Sequence, residues 1–263
     1  MANYKEVARL FEDRIEGVEY YETRAAMRLK NELFFVLQNE TRQLIFLVGE
    51  PGSGKSIFLS NLSGLVEGFE VVKFHTPFFE PVDFVKSLIQ KKGATPQEFA
   101  LEALIAQAVE LYRSAPVIVA IDEAQLLSDE MVELLRILAD SKAFWFILAM
   151  HKHESKNILA RPQFSSRPHR VLELGKIELE EVREYISKEL IKAGLYTLQE
   201  EFSKRLIRDI YRFCRGNFRD MKKILNRLFL LLDYAVLNAK RGYQKPNRCL
   251  VTMAAIDGGL LEV

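Results

Sequence analysis

Eight consecutive residues constrain the fold of this chain more than any other segment. They are Gly49, Glu50, Pro51, Gly52, Ser53, Gly54, Lys55 and Ser56. They match the pattern G-x-x-x-x-G-K-[ST], which joins a strand to a helix through a glycine-rich turn. The preceding run Leu44–Val48 is continuously apolar, as is typical of a strand buried on both faces, and a helix is predicted directly afterwards over Ser56–Val66. The strand, loop and helix in this order predict an α/β fold.

The same loop predicts a site for phosphate groups. Its glycines let consecutive backbone N–H groups point inward, and the positive end of the following helix adds to the attraction for anions. We expect Lys55 to reach the β- and γ-phosphates of a nucleotide and the Ser56 hydroxyl to coordinate Mg²⁺. The alternative is a glycine-rich turn that only connects a strand to a helix.

Four further apolar runs predict strands, and amphipathic stretches between them predict helices. The runs are Glu70–Phe74, Val117–Ile121, Phe144–Met150 and the weaker Arg170–Leu174. The helical stretches after Ser56–Val66 are Pro81–Lys91, Pro96–Arg113 and Asp129–Ala139. This alternation predicts a five-stranded parallel sheet covered on both faces. The first forty residues have helical spacing and predict one or two helices ahead of the first strand.

The pattern changes after Glu178, and no strand-like run appears before the last fifteen residues. Three stretches carry apolar residues at helical spacing, namely Glu180–Ala193, Gln199–Cys214 and Phe218–Lys240. Gly194, Gly216 and Gly242 lie where helix ends favour a left-handed residue. We therefore predict an α/β domain over residues 1–175, with a helical lead-in, and a helical domain over residues 176–263.

A pair of acids follows the predicted strand Val117–Ile121. Asp122 and Glu123 are expected at the carboxyl edge of the sheet, beside the phosphate loop. There, Asp122 would hold Mg²⁺ through water, and Glu123 would orient or deprotonate an attacking water. The alternative is an acidic helix cap, which is common at strand ends in α/β folds.

Three segments together resemble the AAA+ ATPases. They are Gly49–Ser56, Ile121–Leu127 and Leu134–Leu138. The likeness is greatest to the ATPases of the ExeA/GspA type II secretion proteins, to which Leu159–Phe164 adds, and it extends to transposition ATPases of the TniB and MuB kind and to origin-recognition ATPases. The resemblance covers about residues 30–240.

The resemblance implies an architecture and a reaction. The fold would be a P-loop core with strand order 5-1-4-3-2 and a C-terminal helical lid. The protein would be an enzyme that binds ATP and Mg²⁺ and hydrolyses ATP, with nucleotide contacts from the loop and the first helical turn as far as Ile57.

The resemblance also implies two sensor residues. His151 stands where the family has its first sensor, although that position is usually a small polar residue, and a solvated histidine at a strand end is the alternative. Arg219, in the segment Arg215–Arg219, would be the second sensor and contact the γ-phosphate. A cation at a helix start is disfavoured by the macrodipole, which favours a functional role for Arg219.

The resemblance further implies an arginine finger before the last strand. Arg167 is the preferred candidate, Arg170 is second, and Arg161 also lies in this segment. A guanidinium suits the role because its planar, permanently charged fork can spread over developing phosphate charge. If the finger is real, activity requires a homo-oligomer; the alternative is a solvated surface arginine.

Charge is distributed unevenly along the chain. The whole sequence has 37 Lys+Arg and 36 Asp+Glu, a net charge of +1. The segment from Lys204 to Arg248 contains thirteen Lys+Arg and three Asp, a net charge of +10 that leaves −9 for the rest. Such asymmetry indicates a partner that carries negative charge, which includes DNA, or else a solvated helical face.

No segment has the features of a targeting signal or a membrane anchor. The N-terminus lacks an apolar core of signal-peptide length, and no apolar run approaches the 18 or so residues of a membrane span. The two cysteines, Cys214 and Cys249, are far apart and favour a reducing compartment. We expect a cytoplasmic protein that would reach the inner membrane only through a partner.

Three functions are compatible with these features. The first is an ATPase that drives assembly or remodelling of a protein machine of the secretion, pilus or DNA-uptake type, through a separate membrane or secretion protein. The second is an ATP-dependent DNA-binding switch of the transposition or replication-initiation type. The third is a nucleotide-bound scaffold that rarely turns over.

Overall fold

A five-stranded parallel sheet organises the computed structural model, which describes residues 3–14, 19–76, 80–161, 164 and 168–261. The strands are β1 (Leu44–Gly49), β2 (Glu70–Phe74), β3 (Val117–Ile121), β4 (Phe144–His151) and β5 (His169–Glu173). Their order is β2-β3-β4-β1-β5, which confirms the expected order 5-1-4-3-2. Because every pairing is parallel, the carboxyl ends of the strands meet at one edge of the sheet.

Helices occupy most of the remaining chain. Those within the described residues are α1 (Tyr4–Leu10), α2 (Arg24–Asn39), α3 (Lys55–Leu65), α4 (Pro81–Lys91), α5 (Leu101–Arg113), α6 (Asp129–Asp140), α7 (Lys152–Leu159), α8 (Leu179–Lys192), α9 (Tyr196–Glu200), α10 (Lys204–Cys214), α11 (Phe218–Leu237) and α12 (Arg248–Asp257), with a 3-10 turn at Ala124–Leu126.

Burial explains why some strands were more conspicuous in the sequence than others. Every residue of β1 and β3 is buried, as is every residue of β4 except His151. The edge strand β5 buries only Leu172, and the opposite edge strand β2 is also partly exposed. Central strands therefore read as continuous apolar runs, whereas the edge strand β5 gives a weaker pattern.

Contacts divide the chain into two units. The α/β unit comprises Ala26–Pro51 and Lys55–Gly175, and the helical unit comprises Met1–Ala25, Gly52–Gly54 and Lys176–Val263. The domain limits 1–175 and 176–263 stay a prediction. The contacts group Met1–Ala25 with the helical unit, whereas the prediction places these residues in the α/β domain as a helical lead-in to the sheet.

The core of the α/β unit lies between the sheet and its helices. Helix α6 shows how the sequence builds it: Ser128 caps the helix by accepting a hydrogen bond from the Met131 N–H at 3.2 Å. Its apolar side chains Leu134, Leu135 and Leu138 are then buried in this core.

The helical unit has a separate core centred on α11. The N-terminal helix α1 belongs to it because Phe11 stacks on Phe229 of α11, with ring centroids 5.4 Å apart. The Asn226 side chain also donates a hydrogen bond to the Ala8 carbonyl at 2.8 Å. The apolar face of α1 is buried against α11, and this is why residues near the N-terminus group with the helical unit.

A membrane span is not found in the part of the chain that the structure describes. None of those helices combines the length and the apolar character that crossing a bilayer requires.

Candidate nucleotide-binding site

The glycine-rich loop connects β1 to α3 at the carboxyl edge of the sheet. Gly52 and Gly54 have φ angles of 78° and 103°, which side chains other than glycine rarely tolerate. Lys55 is 6% exposed, and its ammonium group donates hydrogen bonds to the carbonyls of Gly49 at 3.0 Å and Glu50 at 3.1 Å. The loop therefore folds back over the lysine and holds its charge at this edge.

The Ser53 hydroxyl provides a test of whether this loop suits a phosphate. Its oxygen is buried and has no hydrogen-bond partner among the described residues. An unsatisfied buried polar group costs about 1–3 kcal/mol. A phosphate oxygen would remove that cost, so the loop fits a nucleotide.

In the helical unit, Gly52 lies against the start of α11. The Arg219 N–H donates a hydrogen bond to the Gly52 carbonyl at 3.2 Å. A Cβ added at Gly52 would lie 2.6 Å from Asn217 Oδ1, so only glycine fits there. Asn217 itself caps α11 by accepting from the Asp220 N–H at 3.2 Å.

The side chain of Arg219 is held by an acid. Its Nε lies 2.7 Å from Asp13 Oδ2, and both side chains are about half exposed. Sequence reasoning did not find Asp13, because the two residues are more than 200 positions apart. Nearby in the same unit, burial lowers the pKa of Lys222 and raises the pKa of Asp220.

The acidic pair lies directly after β3. Asp122 is buried, and its Oδ1 accepts a hydrogen bond from the Glu123 N–H at 2.9 Å. Glu123 has a left-handed backbone with φ 51°, and its side chain is 39% exposed. The carboxylate of Asp122 is therefore buried, whereas water can reach the carboxylate of Glu123.

The residues expected to hold Mg²⁺ are few. Ser56 lies in the first turn of α3, and Asp122 follows β3. Over the described ranges, no group of three or more His, Cys, Asp and Glu side chains could hold a metal ion. Mg²⁺ commonly binds through one or two carboxylates together with substrate phosphates and waters, and such a sparse set fits that mode.

His151 lies between the lysine of the loop and the second acid. The register pairs His151 with Gly49, which places its ring beside the loop. Its Nδ1 is 3.4 Å from Lys55 Nζ, and its Nε2 is 3.5 Å from Glu123 Oε2. Because an ammonium group can only donate, a hydrogen bond with Lys55 requires Nδ1 to accept, and the neutral tautomer with its proton on Nε2 is the one compatible with both contacts. The structure thus brings together Lys55, His151 and Glu123.

Gln125 also contacts the second acid, and sequence reasoning missed it. Its side-chain N–H donates to Glu123 Oε2, while its own carbonyl oxygen is buried without a partner among the described residues. Gln125 lies within Ile121–Leu127, one of the segments that resemble the AAA+ ATPases, but the sequence analysis assigned it no role; the structure places it in the 3-10 turn Ala124–Leu126.

Of the candidates for an arginine finger, the two that the structure describes do not lie in this cluster. Arg167 lies outside the described residues. Arg170 pairs with Glu40 through Nε at 2.8 Å, and Arg161 pairs with Asp129 at 2.7 Å. Both of these arginines therefore have acidic partners within the α/β unit.

The family described as the AAA domain matches residues 38–159. No curated protein matches the sequence. Among solved structures, Cdc6p from Pyrobaculum aerophilum is 15% identical, with a TM-score of 0.62 over 89% of this chain and 66% of its own.

Two other solved structures are similar at comparable levels. The ORC1 protein of Aeropyrum pernix in complex with DNA is 13% identical, with a TM-score of 0.59 over 94% of this chain and 68% of its own. The Walker-type ATPase PABY2304 of Pyrococcus abyssi is 15% identical, with a TM-score of 0.61 over 95% and 76%. At such identities the likeness shows a shared fold, and this chain spans just under two thirds of Cdc6p.

Proposed function

We propose that this chain, in which residues 38–159 match the AAA domain, is a P-loop ATPase that binds ATP together with Mg²⁺ and hydrolyses it. The observation that carries the proposal is the contact chain from Lys55 through His151 to Glu123, at distances of 3.4 and 3.5 Å. A phosphate-binding cation, a polar ring and a carboxylate within reach of water are thus adjacent at one edge of the sheet.

The roles proposed for these residues follow from their contacts. The backbone of Gly49–Ser56 and the start of α3 at Ile57 surround the phosphates, and Lys55 donates to the phosphate oxygens. Glu123 takes the proton of the attacking water, and His151 holds the Glu123 carboxylate. Arg219 contacts the γ-phosphate, and Arg167 serves a neighbouring copy in a homo-oligomer.

Ser56 and Asp122 are the proposed ligands of Mg²⁺, Asp122 through water. The ion, when bound, neutralises charge on the phosphate oxygens. We expect removal of Mg²⁺ with EDTA to reduce phosphate release to background, and addition of Mg²⁺ to restore it. Phosphate release that persists in EDTA would contradict the assignment. Asp122→Asn should raise the Mg²⁺ concentration needed for half-maximal release, whereas Asp129→Asn, outside the cluster, should not.

Replacement of His151 tests its role in holding the general base. We expect His151→Ala to lower kcat about tenfold, with KM for ATP changing less; the loss is smaller than the roughly 10²–10⁴-fold expected for removal of the base because Glu123 remains. His151→Asn, which retains a donor, should recover part of the loss. His153→Ala is the control, because His153 is exposed on the neighbouring helix α7. Equal rates for the His151 and His153 variants would remove His151 from the mechanism.

What the hydrolysis drives is a finer proposal with two candidates. The first is assembly or remodelling of a protein machine through a membrane or secretion partner, which the likeness to the ExeA/GspA ATPases supports. The second is an ATP-dependent DNA-binding switch. A net charge of +10 between Lys204 and Arg248 favours the second, and the fold shared with an ORC1 protein solved with DNA is compatible with it.

A gel-shift series separates the two candidates. A switch that binds DNA should shift a duplex in the presence of ATP, and binding should weaken steeply as salt rises. Absence of any ATP-dependent shift at low salt would leave the protein-machine candidate.

A further inference from the structure

A groove in the helical unit is lined by four arginines. It lies between α10 and the start of α12 and has a cavity volume of about 570 Å³. Arg205, Arg208 and Arg212 come from α10, and Arg248 is the first residue of α12. All four side chains are exposed, so the groove presents a concentrated positive charge to solvent.

One acid in the groove forms ion pairs with two of these arginines, and the other two can pair with a ligand. Asp209 lies 3.0 Å from Arg212 and 3.3 Å from Arg248, with its side chain 14% exposed. Arg205 and Arg208 have no ion-pair partner among the described residues. The groove therefore carries a net charge of +3 even with its internal ion pairs formed.

The helix ends increase this positive charge. Both α10 and α12 begin at the groove, with Ser203 and Asn247 as their caps, so the positive ends of two helix dipoles lie there. Lys204 and Arg205 stand in the first turn of α10, which contains no acid. Cations at that end of a helix are unfavourable, and a bound anion would offset the repulsion.

The spacing of the arginines fits a regular polyanion. Arg205, Arg208 and Arg212 share one face of α10, and seven residues of α-helix rise about 10 Å. This length matches the rise of about three phosphates along one DNA strand, at about 3.4 Å each. No aromatic residue is among those that line the groove, and stacking aromatics are what single-strand sites use.

The basic surface continues beyond the groove itself. Arg208 also lines a neighbouring pocket together with Lys204, Arg183 and the acid Glu180. An extended track of this kind suits a long, rigid backbone better than a small isolated anion.

We propose that this groove binds the phosphate backbone of duplex DNA without reading its bases. The inference rests on the DNA-switch candidate proposed above and gives it a surface. Arginine forks pair with phosphate oxygens, and base identity does not enter because contacts to phosphates carry no direct sequence information.

The test compares two double variants with equal changes in net charge. Arg205→Gln/Arg208→Gln removes the unpaired arginines of the groove while keeping part of each side chain's length. Arg9→Gln/Arg113→Gln is the matched control, because both of these arginines are exposed and lie on α1 and α5. Binding of a fluorescent 30-base-pair duplex of random sequence is measured by anisotropy, with ATP, across a range of salt concentrations.

We expect the groove variant to lower the slope of log affinity against log salt by about 1.8, with a roughly sixty-fold loss of affinity at 0.1 M salt if the lines converge at 1 M. The control should change affinity less than threefold. Equal losses in both variants, or no binding by the wild-type protein at 50 mM salt, would overturn the proposal. Binding to phosphatidylserine vesicles is measured on the same proteins. If the groove variant loses vesicle binding but still binds DNA like the wild-type protein, the proposal is overturned in favour of a lipid surface.

ATP binding and thermal unfolding are measured on the same proteins. Neither should change in the groove variant, because Arg205 and Arg208 are exposed and contribute nothing to the nucleotide cluster. A wild-type protein that binds the duplex but does not hydrolyse ATP would contradict the proposed ATPase activity and leave the groove standing. A wild-type protein that hydrolyses ATP but does not bind the duplex would contradict only the proposed DNA-binding role of the groove.

Discussion

Replacement of Glu123 with Gln is expected to lower the rate of phosphate release by about 10²–10⁴-fold, the range that general acid–base catalysis contributes. The reason is local: an amide of the same shape cannot accept the proton of the attacking water. Nucleotide affinity should change little, because Lys55 and the loop backbone that are proposed to bind the phosphates remain in place. The expected variant therefore binds ATP and retains it.

Phosphate release and ATP affinity are measured together, at protein concentrations high enough for oligomers to form. Glu173→Gln is the matched control: Glu173 also ends a strand at this edge, but its contact is an exposed ion pair with Lys152 at 2.6 Å. Equal release by the wild-type protein and Glu123→Gln would remove the general base from the scheme. The nucleotide-bound scaffold would then become the better description.

Loss of the Lys55 ammonium should weaken ATP binding by about 10²–10⁴-fold. A hydrogen bond from a charged donor contributes about 1.5–3 kcal/mol, and Lys55 is expected to make two of them to the phosphates. With about 1.4 kcal/mol for each factor of ten, Lys55→Met gives the stated range. The dissociation constant for a fluorescent ATP analogue is the measurement.

Lys73 provides a matched control for the structural part of this change. It is another partly buried lysine of the α/β unit, and its ammonium group donates to the Ser60 carbonyl at 2.7 Å. Lys73→Met should lower thermal stability much as Lys55→Met does, since both leave backbone carbonyls without a donor. ATP affinity that falls equally in both variants would show that folding, not phosphate binding, accounts for the loss.

Much of the α/β unit could be predicted from local pattern because its central strands are buried on both faces. The run Leu44–Val48 and the helix Pro81–Lys91 correspond closely to β1 and α4. The helical unit was less accessible to such reasoning. The stretch Gln199–Cys214 is two helices, α9 and α10, because Ser203 begins a new helix by capping it.

The end of the chain shows a limit of periodicity. A strand-like run in the last fifteen residues contributes instead to helix α12, which Asn247 caps. Short apolar runs do not distinguish a strand from a buried helix, and here burial of Leu250, Val251 and Ala254 in the helical core accompanies the helix.

In the candidate site too, residues in local motifs could be predicted from the sequence, whereas contacts between distant residues could not. Lys55, Asp122 and Glu123 could be found because each lies at the end of an apolar strand or in a motif of fixed spacing. The contacts of His151 with both Lys55 and Glu123 required the strand order, since nearly one hundred positions separate His151 from Lys55. Asp13 as the partner of Arg219 required the fold of the helical unit.

The left-handed backbone at Glu123 lowers the stability of the fold at the residue proposed as the general base. Holding a glutamate at φ 51° costs about 1–2 kcal/mol, which Gly would avoid and Asn would reduce. In the proposed mechanism Glu123 takes a proton from water, which neither replacement could do, so relaxing the backbone would also abolish the reaction. Selection of this protein for heat resistance alone would tend to discard Glu123, and every thermostable variant obtained in that way should be screened for turnover.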